Sequence, residues 1–269
     1  MSVSIGLVSF DWAGTIVDHG SRAPAAVFVE SFAAEGISIT EAEARGPMGL
    51  SKRAHIATIL RLDSVRSQWE RHHGREPGEA DIDRLYALFL PRQIACIERH
   101  ADVIPGAVET FAELRRRGIR IGSSTGYSAD ILERLLPAAE RNGLAPDHLC
   151  CASDVPEGRP APWMLFAAAL HFNVYPMRRV VAVDDTLAGI AAARNAGCWA
   201  VGVVESGNEL GLSHAELQAL PPEVRTERYH AGRRRFHEAG AHVVIPSVAQ
   251  FISALEQIQG RLAIGEIPT

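Results

Sequence analysis

The sequence predicts an α/β fold, a doubly wound and mostly parallel sheet into which an all-helical cap domain is inserted. Short apolar runs recur along the chain, and segments with a helical period lie between most of them. Strands and helices that alternate in this way form a parallel sheet with helices on both faces. One stretch, 21–99, breaks the alternation, because it contains helical patterns and no convincing strand. An insertion after the first strand explains that break.

The elements of the predicted core follow one another in chain order. The first apolar run, 5–10, ends at Asp11 and a nearby glycine, which is typical of a buried strand followed by a loop. The other runs that predict strands are 119–124, 149–152, 180–183, 199–204 and 242–245. The helical patterns among and after them are 107–117, 129–141, 162–172, 187–196 and 248–258. Gly118 and Gly197 follow two of these helices, as C-caps often do.

Two further regions are helical. The inserted stretch has five helical patterns, at 24–35, 40–44, 51–62, 65–72 and 79–99. A second helical region, 213–238, is expected at the edge of the core. We therefore predict a core domain made of 1–20 and 100–269, and a helical cap domain made of 21–99.

The composition is that of a soluble globular protein. The 269 residues are 47% hydrophobic and 22% charged, which excludes disordered and low-complexity chains. The net charge of −5 provides no basic field for nucleic acid, and no apolar run approaches the length of a membrane span. The four cysteines form no CxxC pair, and the first residues lack the basic start of a signal peptide. These features predict a cytoplasmic protein with a small-molecule substrate and neither nucleic-acid nor membrane partners.

The basic residues are almost all arginine. Of 27 lysines and arginines, only Lys52 is a lysine. A codon preference for arginine explains why lysines are scarce, but it does not explain where the remaining one lies.

Polar residues follow three of the predicted strands. Asp11 follows the first strand, Thr125 and Gly126 follow the second, and Asp184 and Asp185 follow the fourth. Ligands of open α/β sheets bind beyond the carboxyl ends of the strands. Carboxylates are ligands for Mg²⁺, while hydroxyl and backbone N–H groups bind phosphate oxygens. Each residue taken singly is more often a helix N-cap, but the three strand ends together predict a site for Mg²⁺ and a phosphoryl group.

The same residues resemble the motifs of a known superfamily. The DWAGT string that begins at Asp11, together with Thr125-Gly126 and Asp184-Asp185, resembles the haloacid dehalogenase superfamily. Strings over nearly the whole chain resemble its phosphonatase (phosphonoacetaldehyde hydrolase) family, namely FDWAGTIVDHG, PMGLSKRAH, STGY, DVPEGRPAPWM and NAGCWAVGV. The resemblance implies a haloacid dehalogenase-like core with a helical cap. It also implies cleavage of the C–P bond of phosphonoacetaldehyde to acetaldehyde and phosphate, in the degradation of 2-aminoethylphosphonate.

The resemblance implies a role for each matching position. Asp11 would attack phosphorus and form an aspartyl-phosphate. Asp11, the backbone carbonyl of Ala13, and Asp185 would hold Mg²⁺, which offsets repulsion between two anions. The substrate-binding residues that the resemblance implies are Thr125, Gly126, Arg159, Met48, Gly49 and Tyr127. Taken alone, Arg159 could equally form a surface ion pair, and Met48 or Tyr127 could simply pack.

Lys52 occupies the Schiff-base position of the family. A breaking C–P bond needs a sink for its electron pair, and an aldehyde that an amine has converted to a protonated imine provides one. The amine must be a lysine, because arginine stays protonated and does not form imines. His55 lies three residues on, on the same helical face. The family assigns it to catalysis, in proton shuttling or amine activation, although a lone histidine is more often a capping or surface residue.

Two positions depart from the wider pattern. Members of the superfamily that cleave phosphate esters usually carry a second Asp where this chain has Ala13. That Asp protonates the leaving alkoxide, which an alanine cannot do. Some members also carry an acid four residues after the metal-binding Asp185, where this chain has Gly189. Asp184 is therefore the candidate for a carboxylate that supports the metal ligands from outside.

Two other functions stay open. A phosphatase or phosphomutase acting on a phosphate ester is disfavoured by Ala13 and by the lysine motif. An inactive binding module is disfavoured by the intact Asp11, Thr125, Arg159 and Asp185.

The family also implies a homodimer formed through the helical cap. Val27, Phe28 and Phe32 could form the apolar face of such a dimer, or they could equally pack inside the cap.

Overall fold

A computed structural model describes residues 4–269 of the chain and contains the predicted sheet. The strands are β1 (Leu7–Phe10), β2 (Arg120–Thr125), β3 (His148–Cys151), β4 (Val180–Asp184), β5 (Trp199–Val203) and β6 (Val243–Ile245). All pairings are parallel, in the order β3-β2-β1-β4-β5-β6. Strand β1 therefore lies between β2 and β4, which brings together the three strand ends that carry the candidate site residues. The predicted α/β fold class is confirmed.

Five helices lie between β1 and the rest of the core. They are α1 (Arg22–Ala33), α2 (Glu41–Arg45), α3 (Lys52–Leu60), α4 (Asp63–His73) and α5 (Glu79–Ile97). Helix α2 begins at a capping box, in which the Thr40 hydroxyl accepts from the Glu43 backbone N–H and the Glu43 side chain accepts from the backbone N–H of Thr40. Helices α1 and α5 pack through the stacked rings of Phe28 and Phe89, whose centroids are 4.4 Å apart. The predicted all-helical insertion is present.

The remaining helices cover the sheet. They are α6 (Ala107–Arg116), α7 (Ala129–Arg141), α8 (Trp163–His171), α9 (Leu187–Ala196), α10 (His214–Ala219), α11 (Pro222–Glu238) and α12 (Phe251–Ala263). The predicted helical region 213–238 consists of two helices, because Pro221 and Pro222 end one and begin the next.

The two faces of the sheet carry separate apolar clusters. On one face, Phe10 of β1 contacts Phe111 of α6 and Phe251 of α12, with ring centroids 5.1 and 5.2 Å apart. On the other face, Leu7 of β1 belongs to a cluster with Ile190 of α9. The first cluster continues into the helical insertion. The domain limits near residues 20 and 100 stay predictions.

The candidate dimer residues are buried within a single chain. Val27, Phe28 and Phe32 all lie in the apolar cluster that the insertion shares with the sheet. They therefore pack inside the cap, the second of the two interpretations, and the homodimer stays a prediction without them. Within residues 4–269, no helix combines the length and the apolar character that crossing a bilayer requires.

Candidate active site

Three buried carboxylates meet at the carboxyl ends of β1 and β4. The parallel register pairs Phe10 with Val183, so the chain continues from both strands into acids at the same edge. Carboxylate oxygens of Asp11, Asp184 and Asp185 all lie within 4.8 Å of one another. Burial, with the charge of Asp11 added, raises the pKa of Asp184 to about 7. Burial and both neighbouring acids raise the pKa of Asp185 well above its usual value.

The cluster fits a divalent cation. Three carboxylates supply hard oxygen ligands, and a cation between them would relieve the repulsion that helps to raise the pKa values of Asp184 and Asp185. Asp185 is held by two donors, the Thr15 hydroxyl at 3.1 Å and the Asn208 backbone N–H at 2.7 Å. Gly14 lets the chain pass close to Asp185, because a Cβ there would lie 2.2 Å from the Asp185 Oδ2 atom. The geometry thus fixes a carboxylate where a metal ligand is predicted.

We expect Mg²⁺ to stabilise the protein against heat. At about 100 times its Kd, a ligand that binds only the folded state should raise Tm by about 5–10 °C in a chain of this size. The Asp185→Asn variant should lose most of that shift, because one anionic oxygen is removed. Differential scanning calorimetry with and without Mg²⁺ measures both. The matched control is Asp130→Asn, an exposed acid on α7 that should leave the shift intact. An equal shift in Asp185→Asn would contradict the assignment of the ligand.

Arg159 links the acids to the end of β2. Its Nη2 atom lies 3.0 Å from Asp11 Oδ1 and 2.9 Å from Asp184 Oδ2. The same nitrogen donates to the backbone carbonyl of Ser124 at 2.7 Å. The side chain is buried, and its Nη1 atom has no hydrogen-bond partner among residues 4–269. Arg159 is therefore a buried ion-pair residue with one nitrogen free for an anion, and not part of a surface ion pair.

Asp184 occupies the space beside Gly189. A Cβ at Gly189 would lie 1.9 Å from the carboxyl carbon of Asp184, so no side chain fits there without moving that acid. The Thr186 backbone N–H and hydroxyl both donate to Asp184 Oδ1, at 2.9 and 2.7 Å. The Arg159 guanidinium pairs with the other oxygen of Asp184, whereas both donors to Asp185 are uncharged. This arrangement suits a supporting carboxylate better than a direct metal ligand.

A cavity of about 20 Å³ lies between the acids and the helical insertion. It is lined by Asp11, Ala13, Ser21, Pro24, Met48, Gly49, Lys52, Thr125, Gly126, Tyr127, Arg159 and Thr186. Every candidate residue from the sequence lines it except Asp184, Asp185 and His55. The structure therefore places the lysine of the insertion and the first acid of the core in the wall of one cavity.

Lys52 is the first residue of α3 and is buried. Its Nζ atom lies 4.9 Å from the centre of the Tyr127 ring and 5.7 Å from that of Phe28. Burial lowers the pKa of the amine to about 8; Asp11 raises it and Arg159 lowers it. The neighbouring Arg53 is half-exposed and pairs with Glu79. A substantial fraction of this amine is neutral near pH 8.

His55 lies behind the lysine and is fully buried. Its Nε2 atom lies 2.8 Å from the Ala44 carbonyl oxygen, so this nitrogen carries the proton and donates. Its ring packs on Phe28 with centroids 3.8 Å apart. Burial, with the charge of Lys52, lowers its pKa well below the usual value, so the ring is neutral. The Nδ1 atom has no hydrogen-bond partner in the described chain, and the catalytic role of His55 stays a prediction.

Two glycines let the insertion approach the core. A Cβ at Gly126 would lie 2.6 Å from the Leu50 carbonyl oxygen. Gly49 has a φ of +92°, and a Cβ there would lie 2.2 Å from the Thr186 hydroxyl oxygen. The backbones that carry the candidate lysine and the candidate phosphoryl-binding loop therefore touch without intervening side chains.

The sequence analysis assigns no role to several residues in and around the cavity. Thr186 follows the two acids directly and is the N-cap of α9, so the Asp-Asp-Thr string is a usable signal for it. Ser21 and Pro24 lie where the chain enters the insertion and carry no such signal. Asn208 holds Asp185 through its backbone N–H, a contact that no side-chain motif reveals.

The sheet order, the three acids at its switch point and the helical insertion define a class of protein. A sequence model of the haloacid dehalogenase-like hydrolases matches residues 5–197. The chain belongs to this class of hydrolases. A β-phosphoglucomutase from Clostridium difficile, with a TM-score of 0.67 and 18% identity, is similar in fold alone.

Closer relatives define the family within that class. A phosphonoacetaldehyde hydrolase of Nitratidesulfovibrio vulgaris is 44% identical over 97% of this chain and 93% of the relative. One of Hahella chejuensis is 47% identical over 98% of this chain and 90% of the relative. The crystal structure of a phosphonoacetaldehyde hydrolase-like protein from Oleispira antarctica covers 100% of this chain and 98% of its own, with 39% identity and a TM-score of 0.97. The chain is a member of the phosphonoacetaldehyde hydrolase family, and the resemblance found in the sequence is confirmed.

Proposed function

We propose that this protein hydrolyses the C–P bond of phosphonoacetaldehyde and releases acetaldehyde and phosphate. The observation that carries the proposal is the shared cavity, in which a buried amine with a pKa of about 8 lies with Asp11 and Arg159. The names of the relatives support the same reaction. We further propose that the substrate derives from 2-aminoethylphosphonate, as the family implies.

The proposed reaction begins on Lys52. The neutral amine attacks the carbonyl carbon, water leaves, and a protonated imine forms. A carboxylate oxygen of Asp11 then attacks phosphorus. The C–P bond breaks, and its electron pair moves into the imine to give an enamine. Asp11 suits this attack because it lines the cavity with the amine, and Arg159 orients its carboxylate by holding Oδ1 at 3.0 Å.

Two hydrolytic steps return the protein to its starting state. Protonation of the enamine and addition of water release acetaldehyde and free Lys52. A second water cleaves the aspartyl-phosphate, which releases phosphate and restores Asp11. One water leaves in imine formation and two are consumed, so the net reaction uses one water.

The surrounding residues bind and orient the anion. Mg²⁺, held by Asp11, the Ala13 carbonyl and Asp185, would offset the repulsion between the nucleophile and the phosphonate. The free Nη1 atom of Arg159 is available for a phosphonate oxygen. Thr125 and Gly126 are proposed to donate to the remaining oxygens. Met48, Gly49 and Tyr127 are proposed to enclose the substrate, with His55 supporting the lysine.

Ala13 weighs against a phosphate-ester substrate. It lines the cavity beside Asp11 but offers no group that could protonate a leaving alkoxide. Hydrolysis of a phosphate ester also needs no imine, so the buried amine would have no catalytic role in it. A binding module without chemistry is disfavoured because Asp11, Thr125 and Arg159 are all present and line one cavity with the buried amine.

The substrate and the pH dependence test this proposal together. We expect phosphonoacetaldehyde to be cleaved and simple phosphate monoesters to be poor substrates. Because only the neutral amine attacks, kcat/KM should rise about tenfold per pH unit below about pH 8 and then level off. Release of phosphate and acetaldehyde between pH 6 and 9 measures this, with circular dichroism at each pH as the control for folding. A flat profile over that range would oppose the amine mechanism.

A further inference from the structure

Arg45, the last residue of α2, reaches from the helical insertion to the core. Its Nη1 atom donates to the Gly20 carbonyl at 2.8 Å and to the Asn208 side-chain oxygen at 3.2 Å. Its Nη2 atom donates to the Gly211 carbonyl at 3.2 Å. The guanidinium packs flat against Gly211, where a Cβ would lie 2.7 Å from its central carbon. This fork joins the insertion to two separate core loops.

Asn208 also donates a hydrogen bond to Arg45. Its side-chain amide nitrogen donates to the Arg45 backbone carbonyl at 3.2 Å. Both ends of the Asn208 side chain are therefore held by one residue of the insertion. A reciprocal pair of this kind fixes the rotation of the asparagine as well as its distance.

The backbone of Asn208 in turn holds Asp185. Its N–H donates to Asp185 Oδ2 at 2.7 Å. The preceding Gly207 lies close to the same acid, since a Cβ there would lie 2.4 Å from the Asp185 Cβ. One of the donors that orient this carboxylate thus belongs to a loop that is held in place by the bonds between Asn208 and Arg45.

Helix α2 is also hydrogen-bonded to the helix that carries the lysine. The Ala44 carbonyl, next to Arg45, accepts from His55 of α3, the helix that Lys52 begins. A continuous set of contacts therefore runs from α3 through Ala44, Arg45 and Asn208 to Asp185.

We propose that Arg45 and Asn208 are positioning residues. One set of hydrogen bonds between them holds the helical insertion against the core and orients Asp185 as a metal ligand. The inference rests on the proposed function, in which Asp185 binds Mg²⁺. Separation of the insertion from the core breaks the Arg45 bonds to both loops and leaves Asn208 without its side-chain partners. Metal binding and the attachment of the insertion to the core are therefore coupled, and each strengthens the other.

Direct metal binding tests the pair without reference to turnover. Mn²⁺ serves as a probe for Mg²⁺, and the free ion is measured by electron paramagnetic resonance in the absence of substrate. Arg45→Ala and Asn208→Ala should each raise the Kd for Mn²⁺ about tenfold, within the range of coupling between linked sites. Asn208→Ala keeps the backbone N–H, so its effect can come only through the lost anchoring. The double variant should bind no more weakly than the weaker single variant, because both break one unit.

Two variants keep the test sharp. Arg53→Ala is the matched control, since this arginine pairs with Glu79 and Asp83 inside the insertion and should leave the Kd unchanged. Arg45→Lys keeps the positive charge but loses the guanidinium that contacts both loops, so it should also weaken Mn²⁺ binding. This variant keeps the test decisive if Arg45→Ala does not fold. Wild-type affinity in Arg45→Lys and Asn208→Ala, or multiplying effects in the double variant, would overturn the inference. Phosphate release by the wild type, assayed in parallel, tests the proposed function separately.

Discussion

Replacement of Lys52 by arginine should reduce turnover of phosphonoacetaldehyde by at least about 10³-fold, the scale typical for loss of a covalent nucleophile. The positive charge is kept, but arginine does not release its proton in the range where the Lys52 amine, with a pKa of about 8, does. Without an imine, the electron pair of the C–P bond has no sink. Steady-state release of acetaldehyde and phosphate measures the loss.

A matched control moves the lysine by one position. The double variant Lys52→Arg and Arg53→Lys has the composition of the wild type, but its lysine lies on the exposed side of α3. We expect it to be as inactive as Lys52→Arg, with thermal unfolding showing that both remain folded. Lys52→Met adds a neutral side chain of similar length, which separates loss of the amine from the greater bulk of arginine. Substantial activity in Lys52→Arg would exclude the imine.

Replacement of Asp11 by asparagine should abolish phosphate release, again by at least about 10³-fold. The amide cannot form the aspartyl-phosphate, and one predicted metal ligand becomes neutral. The first half of the reaction should survive, because imine formation needs only the amine. The charge of Asp11 raises the pKa of Lys52, so its removal lowers that pKa further and enlarges the neutral fraction.

Reduction with borohydride separates the two halves in this variant. Asp11→Asn should yield an adduct on Lys52 that still carries the phosphonate, since its C–P bond is intact. Mass spectrometry of the modified peptide identifies it, and Asp130→Asn is the control that should retain full turnover. Normal phosphate release by Asp11→Asn would remove the aspartyl-phosphate from the mechanism while leaving the imine untouched.

The strands and the acids could be predicted because their signals are local. A buried parallel strand is a short apolar run, and the residue that follows it lies at the carboxyl edge of the sheet. Asp11 and the pair Asp184-Asp185 therefore follow from pattern and topology, whereas the choice of Asp185 as the metal ligand comes from the family resemblance. Lys52 is assigned through the resemblance to the family's motif, and its being the one lysine in the sequence agrees with that role. Its burial against Tyr127 and Phe28, which lowers its pKa, depends on packing and is visible only in the fold.

The contacts that join the insertion to the core could not be predicted. Arg45 and Asn208 are 163 positions apart, and neither belongs to a periodic pattern or a motif. Arg53 directly follows the lysine in the sequence. In the fold it pairs with Glu79, and Arg159 lies near the amine instead. Adjacent residues on a helix point about 100° apart, so sequence proximity does not decide which cation is near.

His55 illustrates the same limit on the helix that carries the lysine. The three-residue spacing correctly put both side chains on the inner side of α3. It could not reveal that the ring would donate to the Ala44 carbonyl and stack on Phe28. Those contacts favour a structural contribution to the helix that carries the lysine.

Borohydride reduction of the wild-type protein during turnover tests the central claim most directly. The account predicts one modified peptide, which contains Lys52 and carries an ethyl group, because the trapped imine has already lost its phosphonate. No other lysine can accept the label, and the only other primary amine is that of the N-terminus. Turnover without an adduct, or an adduct confined to the N-terminal peptide, would contradict the account.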